Sequence, residues 1–406
     1  MRILNANSQE PPISGKPSIC FVSPNAYDAV SGRTVSGHIG GAEIQLAALA
    51  RGLCDRGYPV SLVTWDEGQP DGIPHDGIRI FNMCSRTDGV PIVRFIHPRW
   101  TSLWAAMNRA DADVYYQMNS GAETGQVSLW CRRQGRVFLF AISSDGDCNP
   151  KLPHLRHRRE GLLYRHGLRH ANRVIAQTET QARLMRKAFG IETALVRVCS
   201  QNPPHVLVSE CPYSSSSEPR LLWVGRVAPV KRLELLLDLA VANPEIAFDV
   251  IGPIDSKTQY ATQLRARAAV IENVCLHGPL PHDQVLEWYP QATALICTSS
   301  HEGFPSTFME AWAVGIPIVS TVDPDGVISR FDLGGVAMDV LGLTACLRRL
   351  LASESEWLSC SQRAQAYFRM HHTVERTVHA FESMLSSLPA TAARCPAITA
   401  QADGVH

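Results

Sequence analysis

His301-Glu302-Gly303-Phe304-Pro305-Ser306-Thr307-Phe308-Met309-Glu310-Ala311-Trp312-Ala313-Val314-Gly315-Ile316-Pro317-Ile318-Val319-Ser320 is the stretch that decides the fold. It follows the apolar run Ala294 to Thr298 and ends in another, Ile316 to Ser320. An apolar run, a glycine-containing loop, a helix-period segment and a second apolar run read as strand, loop, helix, strand, the unit of a parallel α/β sheet. Such a unit places its loop at the carboxyl edge of the sheet, where α/β proteins bind ligands. Glu302 sits in that loop, and Glu310 lies within the first turn or so of the helix. Free backbone N–H groups at the helix start would cradle an anion. A carboxylate on each side of this nest would hold neutral donors such as sugar hydroxyls. Glu310 has a second reading, because Thr307 and Glu310 have the Thr-x-x-Glu spacing of a capping box. Glu302, in an apolar loop, caps nothing obvious.

The same alternation extends in both directions. Ile19 to Ser23, Val60 to Trp65, Val114 to Gln117, Arg136 to Ile142, Arg173 to Ala176 and Leu195 to Cys199 are predicted strands, with helical patterns in most of the gaps. Gly40-Gly41-Ala42-Glu43 opens a predicted helix with apolar Leu46, Leu49, Ala50 and Leu53, closed by Gly57. Gln201 to Pro204 and Cys211 to Pro219 are rich in Pro and Ser and lack periodicity, the composition of a linker. Alternation then resumes: strand Arg220 to Gly225, helix Lys231 to Ala242, strands Ile246 to Gly252 and Asn273 to His277, then the quoted stretch. The pattern predicts two Rossmann-like halves facing one another. After Leu388 the chain is small and polar, which predicts a disordered tail.

Composition narrows the function. The 406 residues carry 38 Lys and Arg against 38 Asp and Glu, so binding nucleic acid through bulk charge is not expected. The 12 cysteines are scattered without a Cys-x-x-Cys pair, which argues against a zinc site or a disulfide framework and for a reducing compartment. Met1 to Lys16 lacks the apolar segment of a signal peptide, and no run is apolar enough to span a bilayer. A cytoplasmic protein is expected, and a dehydrogenase is not, since no Gly-x-Gly-x-x-Gly follows the first strand.

Glu302 and Glu310, seven residues between them, with Gly-Phe after the first, Ala after the second and Gly315-x-Pro317-x-Val319 beyond, resemble the family-four retaining glycosyltransferases of the GT-B fold. Leu222-Trp223-Val224-Gly225-Arg226, followed by Lys231, resembles that family's Gly-Arg-x-x-x-x-Lys element, and Gly40-Gly41 its N-terminal glycine loop. The resemblance spans roughly residues 18 to 385. It implies an N-terminal acceptor-side domain (1–213), a C-terminal nucleotide-sugar-binding domain (214–388) with helices crossing back, and a tail (389–406). It also implies a hexosyl transfer from a nucleotide-diphosphate sugar to a glycan or lipid-linked acceptor, in polysaccharide or glycolipid assembly. A non-catalytic GT-B protein that binds sugar nucleotide or glycan is the alternative.

The residue roles follow from the same resemblance. Arg226 and Lys231 neutralise the leaving diphosphate, for which a forked guanidinium and an ammonium are suited. Glu302 holds a donor-sugar hydroxyl, and the backbone of Gly303, Phe304, Pro305, Ser306 and Thr307 contacts sugar or phosphate. Glu310 binds the nucleotide ribose, and Gly40 and Gly41 let phosphate and acceptor approach the backbone closely. A departure is that the strand Arg136 to Ile142 runs into Ser143-Ser144-Asp145-Gly146-Asp147, where the family often has His-Asp. Either Ser144 and Asp145 replace that histidine or the sugar contact is made differently.

Two further features bear on partners. Asp111-Ala112-Asp113, Asp145-Gly146-Asp147 and Asp323-Pro324-Asp325 match the Asp-x-Asp of metal-dependent glycosyltransferases of another fold. Arg226 and Lys231 supply that cation's electrostatic task here, so no metal and no cofactor beyond the co-substrate is expected. Lys151 to Arg173 carries seven Lys and Arg and four His against Glu160, with Leu162, Leu163 and Leu168 suggesting an amphipathic basic helix for anionic membrane surfaces.

Overall fold

The computed structural model describes residues 15–32, 40–91, 93–153, 155, 157–200, 218–255 and 258–388. Most of the predicted linker and the whole predicted tail lie outside the described residues. The first sheet has eight strands: β1 (Ile19–Val22), β2 (Val60–Thr64), β3 (Pro74–His75), β4 (Ile78–Asn82), β5 (Val114–Met118), β6 (Val137–Ala141), β7 (Arg173–Ala176) and β8 (Thr193–Leu195). Their spatial order is β3-β4-β2-β1-β5-β6-β7-β8, parallel except where β3 meets β4. The second sheet has six strands: β9 (Arg220–Val224), β10 (Ala247–Ile251), β11 (Val274–Gly278), β12 (Ala294–Cys297), β13 (Ile318–Ser320) and β14 (Gly334–Val336). Their order is β11-β10-β9-β12-β13-β14, all parallel.

β1, β2, β5, β6, β12 and β13 are buried along their whole length. Helices therefore cover both faces, and the strands read as continuous apolar runs rather than alternating ones. In each sheet the strand order reverses beside the first strand, between β1 and β5 and between β9 and β12. A crevice opens at such a switch point because the connections on its two sides run to opposite faces.

Two expectations need correction. The strand predicted at Leu195 to Cys199 is β8, ending at Leu195. The chain beyond it is instead held by the C-terminal helices: His372 Nδ1 lies 2.8 Å from the Val198 carbonyl, and Thr377 Oγ1 donates to the Arg197 carbonyl at 2.9 Å. The helix predicted from Lys231 begins at Leu233, after a 3₁₀ turn over Pro229–Lys231 and a left-handed Arg232 (φ 49°). β4, with its buried Ile78, Ile80 and Phe81, was not anticipated.

The chain crosses back at its end. The helix Val374–Ser386 buries Val378, Phe381 and Met384 in the core of the first sheet, beside Leu46, Leu49 and Leu53 of the helix Gly41–Asp55. Gly52 makes this approach possible, since a Cβ there would stand 2.3 Å from Val374 Cγ1.

Candidate active site

The loops after β9 and β12, which flank the switch point of the second sheet, are stitched together. Thr298 Oγ1 donates to the Lys231 carbonyl at 2.7 Å and accepts from Trp223 Nε1 at 3.1 Å, and the Ser300 amide donates to the Val230 carbonyl at 2.8 Å. Gly252 (φ 147°) completes the packing, because a Cβ there would fall 1.9 Å from the Gly225 carbonyl oxygen. These constraints bring Lys231 Nζ into an ion pair with Glu302 Oε1, with both side chains partly shielded from water. The Arg226 guanidinium is exposed and forms no hydrogen bond or ion pair among the described residues. Its charge reaches Glu43 of the first domain.

Across the crevice, the helix Gly41–Asp55 starts at N-cap Gly40. Glu43 turns back over Gly40, and a Cβ on Gly40 would collide with its Oε2 at 2.3 Å. Burial raises the Glu43 carboxyl above its ordinary range, opposed by bonds to its own amide and that of Gly40 and by Arg226. The close approach that the glycines permit is thus taken by protein atoms. Ser306 Oγ donates to the Gly41 carbonyl at 3.1 Å, and Gln45 Nε2 donates to the Phe304 carbonyl at 2.9 Å. Ser306 heads the helix Ser306–Val314, so the starts of two helices meet where the halves touch.

Glu310 does not take up the capping role that its spacing from Thr307 offers. The N-cap of its helix is Pro305, no side chain caps the helix, and the capping box of Thr307 and Glu310 does not form. Glu310 is 2% exposed, and each oxygen has a partner: His282 Nε2 at 2.9 Å from Oε1 and the Tyr289 hydroxyl at 2.5 Å from Oε2. Burial opposes the charge on His282, but Glu310, and less strongly Asp283, outweigh it and raise its pKa. A ribose that sought this carboxylate would have to displace one of the two. Phe304 also points inward, 3% exposed and stacked on His372 at 4.6 Å. Pro305 has no N–H, so the amides this loop can offer are those of its neighbours.

The loop after β6 closes on the same place. Asp147 accepts from the Ser143 amide (2.8 Å), the Ser144 amide (3.1 Å) and Ser120 Oγ (2.6 Å), fixing the loop's shape. Ser143 presses on Gly303, where a Cβ would lie 2.3 Å from its carbonyl oxygen. Gly303→Ala is therefore expected to force the halves apart and lower turnover at least tenfold, with nucleotide binding to the second domain retained. Equal turnover in both proteins by a radiolabelled-sugar assay would show that this contact is dispensable.

The group 1 glycosyl transferase model matches residues 213–330, and the glycosyl transferase 4-like domain model matches residues 40–202. The chain belongs to the GT4-like glycosyltransferase family. The D-inositol 3-phosphate glycosyltransferase of Acidothermus cellulolyticus is 29% identical over 173 residues, 37% of this chain and 38% of that relative. The match thus spans little more than a third of that relative's length. The 2-deoxystreptamine N-acetyl-D-glucosaminyltransferase of Streptomyces fradiae is 22% identical over 344 residues, 73% of this chain and 81% of the relative. Among solved structures, the sucrose-phosphate synthase of Thermosynechococcus elongatus has a TM-score of 0.75 at 18% identity, covering 92% of this chain and 99% of that one. HepE of Anabaena, solved with UDP and glucose, has a TM-score of 0.69 at 16% identity, covering 92% and 100%. At these identities the structures establish the GT-B fold.

Where this family often has a histidine after the N-domain strand, the chain presents Asp145. Burial raises its carboxyl, and the charges of Asp325 and Asp147 add to the rise, opposed by nearby Gln181 and by the charge of His301, the neighbour of Glu302 in the other domain. The other Asp-x-Asp carboxylates are largely committed to the fold. Asp111 and Asp113 pair with Arg136, and Asp323 accepts from the Ile328 amide at 2.8 Å. Asp325 bridges the halves, accepting the Glu179 and Thr180 amides at 2.8 and 2.9 Å at the start of the helix Glu179–Phe189. The sequence reading missed His282, Tyr289 and Gln45, and it named Asp325 without the bridging role that the fold gives it. No spacing rule links them to the site, because each meets its partner only through the folded chain.

Proposed function

We propose that this protein is a retaining glycosyltransferase that moves a sugar from a nucleotide-diphosphate sugar to a glycan or lipid-linked hydroxyl. The observation that carries this reading is the Lys231–Glu302 ion pair at the switch point of the second sheet, with Arg226 on the same loop after β9 and its charge felt at Glu43 of the first half. An incoming diphosphate competes with Glu302 for Lys231. The exchange frees Glu302 to accept a hydroxyl of the donor sugar while Lys231 and Arg226 hold phosphate oxygens. The bond from the anomeric carbon to the phosphate oxygen then breaks, and its electron pair stays on the diphosphate. The acceptor oxygen bonds to the anomeric carbon on the same face, and its proton passes to a diphosphate oxygen. Stabilisation of that developing charge by preorganised cations is the main catalytic effect. With two fixed cations present, a metal ion at the diphosphate would be redundant and repelled.

Purified protein incubated with UDP- and GDP-sugars is expected to release nucleotide diphosphate with one of them, with the anomeric configuration kept in the product. EDTA should leave the rate largely intact. Loss of activity on chelation, restored by Mn²⁺ or Mg²⁺, would move the phosphate chemistry to other residues. Binding without turnover under acceptor-saturated conditions would favour the non-catalytic alternative.

We also infer contact with an anionic membrane surface, on an arrangement different from the one expected. In the helix Arg158–His170, Leu168 is buried and Leu162 is 67% exposed, so the predicted leucines do not form one stripe. Val90, Val93 and Ile96 are exposed apolar side chains too, and Arg159 of this helix stacks over Phe95, next to Ile96, at 4.2 Å. Basic residues beside exposed apolar ones suit a lipid interface. Among the described residues no helix is long and apolar enough to cross a membrane. Co-sedimentation with vesicles containing anionic lipid at low salt, and little with zwitterionic vesicles, is the expected result.

A further inference from the structure

We infer that Cys275, His277 and Asp249 form a reactive-thiol site on the edge of the second sheet, suited to exchange with low-molecular-weight disulfides. β11 is the edge strand and pairs in parallel with β10, which sets Asp249 opposite Cys275. His277, two residues on, shares the face of Cys275. The Asp249 side chain is 4% exposed and is held from one side by Arg220, whose Nε and Nη2 approach its Oδ2 at 3.0 and 2.7 Å. From the other side His277 Nε2 lies 2.7 Å from Asp249 Oδ1. The imidazole rests against Trp288, with ring centroids 4.2 Å apart.

A carboxylate only accepts, so the proton of a neutral His277 resides on Nε2. Nδ1 is left as an acceptor, and it lies 3.9 Å from Cys275 Sγ. This is the order thiol, base, orienting carboxylate that activates a cysteine. Cys275 is exposed, whereas burial pushes the thiols of Cys20, Cys148, Cys199 and Cys360 up to about 12. The same three residues do not read well as a cation chelate. Their ligand atoms lie within 4.8 Å of one another, but Arg220 already holds both oxygens of the Asp249 carboxylate.

In the exchange, the Cys275 proton moves to His277 Nδ1 and the thiolate attacks one sulfur of the disulfide. The new S–S bond forms as the old one breaks, and the departing thiolate takes the proton back from His277. No other oxidant or reductant is needed. Cys275 and His277 stand on the edge strand β11, two strands from β9, and Arg220 heads β9 whereas Arg226 follows the other end of that strand, so the site is separate from the crevice.

The full-length protein is labelled at pH 6 with a limiting amount of iodoacetamide, and Cys275 is quantified by peptide mass spectrometry. An ordinary thiol with a pKa of about 8.5 is about 0.3% ionised there. Cys275 is expected to react about tenfold faster than free glutathione and about tenfold faster than in His277→Gln. Glutathione disulfide should add one glutathione to wild-type protein and none to Cys275→Ser at that position. Should His277→Gln unfold by circular dichroism, the comparison with free glutathione decides alone. Labelling no faster than free glutathione, labelling equal in folded wild type and His277→Gln, or stoichiometric zinc that blocks labelling would each overturn the proposal.

Discussion

Lys231→Ala is expected to remove about 2–4 kcal/mol of transition-state stabilisation, a fall in kcat of roughly thirtyfold to a thousandfold. The loss should appear in kcat more than in KM, because the phosphate charge that Lys231 meets grows as the glycosidic bond breaks. The ground state has a compensation that works the same way. Without Lys231, Glu302 loses its ion-pair partner and is left partly buried beside the incoming phosphate, which adds repulsion as the charge builds. Arg226→Ala should act in the same direction and remove a cation whose charge pulls the Glu43 carboxyl down. Steady-state kinetics of both variants on the donor that the wild type turns over checks this. Wild-type kcat in either would remove that residue from the phosphate site.

Glu310→Ala is expected to be the most destabilising single change at the site, by about 3 kcal/mol. It strands a His282 whose charge Glu310 sustains, and it leaves the fully buried Tyr289 hydroxyl without its acceptor. Glu310→Gln keeps an amide in the same place and should cost about 1 kcal/mol. The two variants separate scaffold from ligand contact. If Glu310 binds ribose, Glu310→Gln weakens nucleotide diphosphate by calorimetric titration while the fold remains intact. Unchanged affinity would make Glu310 a support for the segment from His282 to Tyr289. The pH dependence has a definite sign. The His282 pKa is raised in the folded state, so its contribution is fully present below the unfolded value of about 6.5 and is lost as pH rises through the folded value. Urea midpoints of wild type should fall across that window, and those of Glu310→Gln should fall less.

The two-sheet fold was legible because buried parallel strands advertise themselves locally. Runs such as Ala294 to Cys297 and Val137 to Ala141 are apolar at every position, and each is followed by a loop and a helix-period segment. The same local order put Arg226 after β9 and Glu302 after β12 at the carboxyl edge of one sheet. Errors fell where the local signal was weak or overridden. β14, Gly334–Val336, is short and glycine-rich. Val196 to Ser200 is apolar enough for a strand, but its backbone is held by His372 and Thr377 from the chain's end. Lys231 falls in a 3₁₀ turn rather than in the helix, because Arg232 takes a left-handed conformation.

Read alone, the chain showed the fold class, the order of most elements, the presence of two α/β halves, and the sheet edge at which Arg226 and Glu302 stand. All of these follow from the period of apolar residues and from short motifs, which act over a few residues. The tertiary structure alone decided what those side chains touch: Lys231 with Glu302, Glu310 with His282 and Tyr289, Ser306 with Gly41, and Asp325 with the start of the helix Glu179–Phe189. Ser306 and Gly41 are 265 positions apart in the chain, and no periodicity spans such a distance. Contacts of that kind are set by how two buried sheets and a returning C-terminal helix pack, so their partners follow from the packed whole and not from any local pattern.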